Sequence, residues 1–545
     1  MRATKATAAM RSTLVVRMVV ALVVGGVGLP LLAVLVVRRD TAARLGAAFA
    51  VWALVSAAAA GTALAWSGEY WSGTGAVFVV VLAAAWAAGR ALPADVLPWL
   101  RGGLVAGAVA NALVAVAQGP FDLDRFSLSL FDERSTGFLG NPVFLGAVCA
   151  AALPLARPLV DRTALGGGVV VALLAAAVQM SGTRVALALL VAGALMTLLR
   201  VSRRAAAAVA VAVVLGVWAG GALQADEGTA AARRLGQPAG GLGQRGENWR
   251  TALDAVVDRP LVGYGPGRYV EGTSPRRTLE LARHGSDRLY FDGHNLVIEY
   301  AVTTGVVGVL LLCGWLAAMA LSLRRSPQLD LVWAAAVLLA FHLLEPQHVV
   351  TTPLMFLLAG AAAPRVALPT GRLVRTGQLV LVAAALVAGG RVLVGDLLLY
   401  QANLDFREEP AEQSAGLLRP WVEPLIVESR VHVLRGQERE DPSELVEAER
   451  LARLAADRNP ADPLRAMELA GILVRQQRHR AAADAYRRAL AINPWSKLAL
   501  TGRAEQLEAT GDQAPARACR ELLAVLAGTR NGSGAGRSRF ECLGA

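Results

Sequence analysis

Residues 163–199 read TALGGGVVVALLAAAVQMSGTRVALALLVAGALMTLL, two apolar runs joined by Ser181-Gly182-Thr183-Arg184. Neither run alternates with polar residues, so neither has a face suited to water. Apolar runs approaching about 20 residues read as membrane-spanning helices. Lipid offers the backbone no hydrogen-bond partners, so such a run must satisfy its own N–H and C=O groups as a helix. The joining turn then sits at a membrane face. An arginine in that place costs ~2.5 kcal/mol or more at the bilayer centre. Arg184 must therefore snorkel to the interface or face a polar cavity, and the cavity is the reading taken here.

The same pattern recurs on both sides of this hairpin. The chain has 545 residues, of which 55% are hydrophobic and 18% charged, where a soluble protein carries about 25% charged. Mean hydropathy is +0.47. Twelve spans are expected, at roughly 14–37, 45–65, 74–90, 102–118, 138–156, 164–180, 185–199, 205–224, 295–322, 330–345, 350–364 and 377–399. The expected fold is all-α, a polytopic membrane helix bundle over 1–399. Residues 1–13 before an apolar run resemble a signal sequence. The run continues to Val37 without a small-residue cleavage site, so a helix is expected instead.

Charge orients the bundle. Arg38, Arg39 and Arg44, Arg90 and Arg101, Arg157 and Arg162, Arg200, Arg203 and Arg204, Arg324 and Arg325, and Arg365, Arg372 and Arg375 all fall in loops on one side. Cytoplasmic loops are enriched in Lys and Arg, so that side is read as cytoplasmic. The loop at about 225–294 is then extracytoplasmic. Arg2, Lys5 and Arg11 would place the N-terminus inside, whereas an even span count places it outside. The net charge of +12 has its explanation in these loops, and nucleic acid is not an expected partner.

Beyond residue 400 the composition turns polar, with Glu, Arg and Ala at helical spacing. Asn459-Pro460 recurs as Asn493-Pro494, 34 residues on; Ala448, Ala452 and Ala455 precede the first, and Ala482, Tyr486 and Ala489 the second. A period of 34 with these residues signals tetratricopeptide-like helix pairs, expected over 400–528. A Gly/Ser/Arg-rich tail, 529–545, is expected to be disordered. The four cysteines, Cys149, Cys313, Cys519 and Cys542, have no CxxC or metal spacing, so neither a disulfide framework nor zinc is indicated.

Four segments on the outer side could carry chemistry. Arg134 leads into Gly140-Asn141-Pro142, whose bland reading is a helix-start turn capped by Asn141. Ser181–Arg184 is the second. The third, from Arg245 through Trp249 and Arg250, reads as an amphipathic helix near the interface, followed by Gly263-Tyr264-Gly265-Pro266-Gly267, a rigid reversal. The fourth is Asp292-Gly293-His294-Asn295 at the start of a span. A helix N-terminus favours neutral imidazole, the form a general base requires, with Asp292 or Glu299 orienting the ring. A capping histidine is the alternative. His342, Glu345 and His348 are spaced somewhat like a metal site, but Pro346 breaks the helix between them. Asp122 and Asp124 resemble the acidic pair of metal-dependent oligosaccharyltransferases.

Taken in order, GFLGNPVFLG at 137–146, SGTR at 181–184, the Arg245–Trp249 segment with PLVGYGPG, and DGHN followed by Gly305 and Gly308 resemble the O-antigen ligase family over roughly 40–365. The resemblance implies a membrane glycosyltransferase, similar to type C enzymes, with an extracytoplasmic active site. It implies an undecaprenyl-pyrophosphate donor, an inverting reaction, and no metal or other cofactor. His294 matches the family histidine proposed to activate the acceptor hydroxyl. Arg184 and Arg245 match arginines of its motifs, and Arg134 matches a basic residue ahead of the Gly-Asn-Pro turn. Where many members carry a second histidine, this chain has Asp292. Catalytic roles are expected for His294, Arg245 and Arg184, and substrate binding for Arg134, Arg184, Arg245, Arg250 and Asn295. Arginine forks suit pyrophosphate oxygens.

The expected partners are a lipid-linked glycan, a glycan or other surface acceptor, membrane lipid, and an envelope protein at the repeats. The expected location is the plasma membrane, with the active site and repeats extracytoplasmic. Ligation and polymerisation use the same parts. A polysaccharide or lipid flippase is a second reading, although no internal repeat between halves supports it. An envelope scaffold acting through its repeats is a third.

Overall fold

A computed structural model of the chain describes residues 2–70, 72–118, 121, 134–223, 240–285, 287, 289–366, 371–529 and 535–543, with backbone alone for 2–17, 240–242 and 405. Among the described residues every regular element is a helix. Each of the twelve expected spans falls on an apolar helix. Six are long and apolar enough to cross a membrane: Met18–Val37, Thr41–Ala60, Ala94–Ala117, Arg203–Ala222, Leu296–Leu323 and Arg372–Leu404. The others, Ala76–Ala91, Pro142–Leu155, Ala164–Met180, Arg184–Leu198, Leu329–His342 and Thr351–Ala362, are shorter. The longest of these has 17 residues and the shortest 12. They reach about 18–25 Å, less than the ~30 Å of hydrocarbon. Polar turns at their ends therefore need partners from the protein itself.

The core forms where small residues let backbones meet. A Cβ on Gly89 would lie 2.1 Å from the Leu357 carbonyl oxygen, so helices Ala76–Ala91 and Thr351–Ala362 touch through backbone. Trp86, Trp315, Phe49, Phe341 and Phe356 fill the interior around them.

Contacts define the two ends of the bundle. At one end Arg90 pairs with Asp40 at 2.8 Å, Arg101 pairs with Asp330, and the Ser326 hydroxyl donates to the Ala362 carbonyl. This is the arginine-rich end. At the other end Gly73 sits beside Met18 and Val349, and Asn295 Nδ2 donates to the Leu343 carbonyl at 2.8 Å. Met18 thus lies at the His294 end.

Helix Leu296–Leu323 is broken. Gly305 takes φ 69 and ψ −174 inside it, which frees carbonyls that an intact helix would use. The 259–265 segment, which runs into the Gly263–Gly267 stretch expected as a rigid reversal, fits into this gap. Tyr264 N donates to the Val302 carbonyl at 3.0 Å, and Gly265 N to that of Thr303 at 2.8 Å. Trp52 Nε1 takes the Thr304 carbonyl at 2.9 Å, and Val306 N donates to the Pro260 carbonyl at 2.8 Å. Irregular backbone in a spanning helix persists only when protein supplies such partners.

The C-terminal helices run from Glu408–Leu417 and Glu423–Arg439 to Gln513–Leu526, each packing on its sequence neighbours. Asn459 and Asn493, 34 residues apart, both cap helix C-termini. Tyr486 packs where Gly502 has no side chain.

Two expectations in the tail give way. Residues Ala535–Leu543 form a helix, and Cys542 is disulfide-bonded to Cys519 with Cα atoms 4.9 Å apart. Buried Arg503 donates to the Cys542 carbonyl at 2.7 Å. Helix Ala535–Leu543 is joined to Gln513–Leu526 by a covalent tie that spacing alone does not reveal.

This helical region docks on the His294 end. Trp495 Nε1 donates to the Arg277 carbonyl at 3.0 Å, Ser496 Oγ to Asp287 at 2.6 Å, and Trp421 Nε1 to the Gly68 carbonyl at 3.0 Å. Glu69 lies in the seam. Burial pushes its carboxyl up to about 8, with Glu423 and Asp462 adding to the rise and Arg465 opposing it. A carboxyl held neutral in the fold contributes stability below its unfolded value of 4.5 that is lost as pH rises through about 8. Glu69→Gln, always neutral, is expected to melt higher than the parent at pH 8.5 and to flatten this decline. Equal melting curves across pH 5–9 would reject that account.

Candidate functional site

The site is built around a strained histidine. Helix Gly240–Asp258 lies across the segment before Leu296, where Trp249 Nε1 donates to the Gly293 carbonyl at 2.7 Å and Asn248 Nδ2 to that of Asp292 at 3.4 Å. Gly293 N donates to Glu299 Oε2 at 2.8 Å. Asn295 caps the following helix, accepting from Val297 N and Ile298 N. Held on both sides, His294 adopts φ 47, a left-handed conformation that non-glycine residues avoid. Such strain persists only where the surroundings over-determine it, and it concentrates at functional sites.

His294 Nδ1 lies 2.5 Å from Asp292 Oδ1, and the same carboxylate oxygen accepts from His294 N at 2.8 Å. Charge and a polar contact both tie the ring to this carboxylate. Burial pulls the imidazole down, but the charge and polar contact of Asp292, helped by Glu345, outweigh it; Arg245 opposes them. The net position is above the ordinary 6.5. A helix N-terminus by itself favours the neutral ring. In the structure the nearby carboxylate dominates that effect, and it is Asp292 that faces the ring, while Glu299 serves the backbone.

Arg245, on the same face of helix Gly240–Asp258 as Trp249, reaches across to Glu345 at 2.7 Å. Glu345 is buried, in the segment between Leu329–His342 and Thr351–Ala362. His294, Asp292, Arg245 and Glu345 thus form one electrostatic group. Sequence reasoning placed Glu345 only in a possible metal set. Nothing adjacent in sequence points Glu345 to Arg245, 100 residues away.

The 343–350 segment ties this group to the other arginines. Gln347 accepts from the Tyr300 hydroxyl at 2.8 Å, and His348 stacks on Phe144 with ring centroids 3.9 Å apart. Phe144 belongs to helix Pro142–Leu155, capped by Asn141 as the bland reading expected. The Pro142 carbonyl lies against Thr183 Oγ1, and Arg134 Nη1 reaches the Ser181 carbonyl at 3.5 Å. Arg134 is buried behind the Ser181–Arg184 turn, and Arg184 is exposed at its tip. Both therefore lie at the His294 end.

Two expected substrate contacts sit differently. Arg250 is exposed; five residues on from Arg245, it points about 140° around the helix. Asn295 has both ends of its amide engaged within the protein, in the cap and on Leu343. His342, Glu345 and His348 do not converge. His342 Nδ1 meets the Pro346 carbonyl at 3.0 Å, Glu345 holds Arg245, and His348 Nδ1 accepts from Val350 N at 3.3 Å. Among the described residues no three His, Cys, Asp or Glu side chains could hold a metal. Asp122 and Asp124 lie outside the described residues.

No curated protein matches the chain. Residues 169–313, which take in Arg184, Arg245, His294 and the break at Gly305, match the family model for O-antigen ligase, and this match supports the O-antigen ligase family for a chain with helices long and apolar enough to cross a membrane.

Proposed function

We propose that this chain transfers a glycan from undecaprenyl pyrophosphate to an acceptor hydroxyl at the His294 end of the bundle, and that this end is extracytoplasmic. The observation that carries the reading is the His294–Asp292 contact beside Arg245–Glu345. With Nδ1 turned to Asp292, Nε2 is the nitrogen left for an acceptor. It takes the hydroxyl proton as the acceptor oxygen bonds to the anomeric carbon. The bond from that carbon to the pyrophosphate oxygen breaks, with inversion, and the electron pair leaves with the pyrophosphate. Asp292 stabilises the imidazolium, as the carboxylate does in His–Asp pairs generally. Arg245 and Arg184 stabilise charge on the leaving group, where preorganised cations act most strongly. Arg134 supports the Arg184 turn from behind.

Glu345 holds Arg245 in position until pyrophosphate arrives. Lysine preserves charge but loses the planar fork. Arg245→Lys and Arg184→Lys are therefore each expected to lower transfer about 10²-fold, the scale of one lost oxyanion donor, with membrane protein levels unchanged. Full activity in both would remove the arginines from the reaction. In a deletion strain, shortened polymer would identify a polymerase and unattached full-length polymer a ligase.

The orientation has support in the Cys519–Cys542 disulfide, since disulfides persist in oxidising compartments outside the cytoplasm. In cells quenched with a thiol-alkylating reagent, this pair is expected to be protected until reduction. Glu280→Cys, at an exposed position of the outer loop, is expected to react with an impermeant maleimide in intact cells when Cys313 is replaced by Ala. Labelling only after lysis would reverse the topology.

The C-terminal helices are read as tetratricopeptide-like repeats that brace the loop leading to His294. A groove of about 350 Å³ between Glu423–Arg439 and Pro463–Arg475, with Arg430, Glu468 and Arg475 at its rim, is their place for an envelope protein.

A further inference from the structure

The arginine-rich end carries a feature that the transfer reaction does not use. A groove of about 360 Å³ opens between the last turns of Leu296–Leu323, the first turns of Leu329–His342, and Met355 and Ala359 of Thr351–Ala362. Its lining includes Leu316, Met319, Leu323, Val332 and Leu339, and the small side chains of Ala320, Ala335 and Ala336 leave room between them. One charged residue lines it, Arg324. Arg324 is exposed, as is Arg325 beside it.

Two cations at this end are held within the protein. Arg90 is paired with Asp40, and Arg101 with Asp330 and Gln328. Among the described residues neither Arg324 nor Arg325 has an acidic partner. An apolar slot on spanning helices with a cation at its mouth matches one kind of molecule, an acyl chain attached to an anionic phosphodiester. Basic pockets between membrane helices on the cytoplasmic side take such headgroups, and a volume of a few hundred Å³ is in the range of ligand sites.

We propose that this groove binds an anionic phospholipid of the bilayer, its acyl chain along Leu316, Met319 and Leu339 and its phosphate on Arg324. The site lies at the opposite end from His294, so it stands or falls independently of the transferase reading. It would tie the segment between Leu296–Leu323 and Leu329–His342 to the headgroup layer, fixing the depth of the helix that follows His294.

Native mass spectrometry of the full chain, purified in mild detergent with added phosphatidylglycerol or phosphatidylcholine, tests this. Phosphatidylglycerol is expected to be retained over phosphatidylcholine. Arg324→Ala is expected to weaken its retention about fivefold, the ratio that about 1 kcal/mol per cation gives. Ala336→Phe, which fills the slot and keeps the charge, is expected to lose it as well. Arg372→Ala, at the same end but outside the groove, is expected to retain lipid like the parent. Equal retention by Arg324→Ala and the parent, equal loss in Arg372→Ala, or no preference over phosphatidylcholine would overturn the proposal. So would one-for-one displacement by undecaprenyl phosphate, which would make the occupant the donor's carrier.

Discussion

His294→Ala is expected to lower glycan transfer by about 10²–10⁴-fold, the usual contribution of a positioned general base, while the melting temperature stays close to that of the parent. The separation of these two readouts follows from the geometry. The helix that starts at Leu296 is capped by Asn295 and flanked by Glu299, and the imidazole takes no part in that cap. A lost cap would cost about 1 kcal/mol of stability with little effect on rate. Replacing a left-handed His by Ala leaves the strain in place, so stability has no reason to rise or fall far.

The pH profile gives a second handle on the same residue. A base must be deprotonated, so activity rises as pH passes the value for His294. Burial pulls that value down, but Asp292 holds it above 6.5, so the acid limb should lie above pH 6.5. Asp292→Asn keeps an oxygen for the His294 backbone N–H and removes the charge. The limb should then move to lower pH, because burial and Arg245 now prevail. The maximal rate should also drop, since a weaker base faces the acceptor. An unmoved limb in Asp292→Asn, or near-normal transfer with a lowered melting temperature in His294→Ala, would assign the histidine to structure instead.

How much of this was legible beforehand depends on the range of each signal. Apolar runs are local, and every expected span lies on a helix. The Arg184 turn and the Arg245–Trp249 helix were legible because a cation or an indole at a membrane surface is a local anomaly. Glu345 was not, because its partner is 100 residues away and nothing near Glu345 names it. Asn295 shows the opposite failure: a polar residue beside a candidate base invites a substrate role, yet its position just before Leu296 makes it a cap. The Cys519–Cys542 pair escaped because a spacing of 23 fits no motif. The break in Leu296–Leu323 is hidden for another reason. Hydropathy counts side chains, and the break is a backbone event at a glycine.

Substituting Gly305 is expected to disable the protein more completely than any change at the site. Its φ of 69 with ψ near 180° belongs to a region open essentially to glycine alone, where other residues pay about 1–3 kcal/mol. A Cβ there would also lie 2.3 Å from the Leu261 carbonyl oxygen, against backbone that cannot turn aside. To relieve that contact, the 259–265 segment must withdraw. Withdrawal strips the Val302 carbonyl of its partner and leaves that of Thr303 to Ser56 Oγ alone, and a polar group left unpaired in a buried setting costs about 1–3 kcal/mol more. The alternative is for the helix to close its gap, which rotates everything N-terminal to residue 305, His294 included. Either route couples stability to activity. Gly305→Ala should therefore melt well below the parent in detergent, become sensitive to proteolysis within 259–265, and lose transfer. Val306→Ala, one residue on and free of the φ requirement, should do none of these. A Gly305→Ala protein with parental melting and activity would mean that the break does not exist in the membrane.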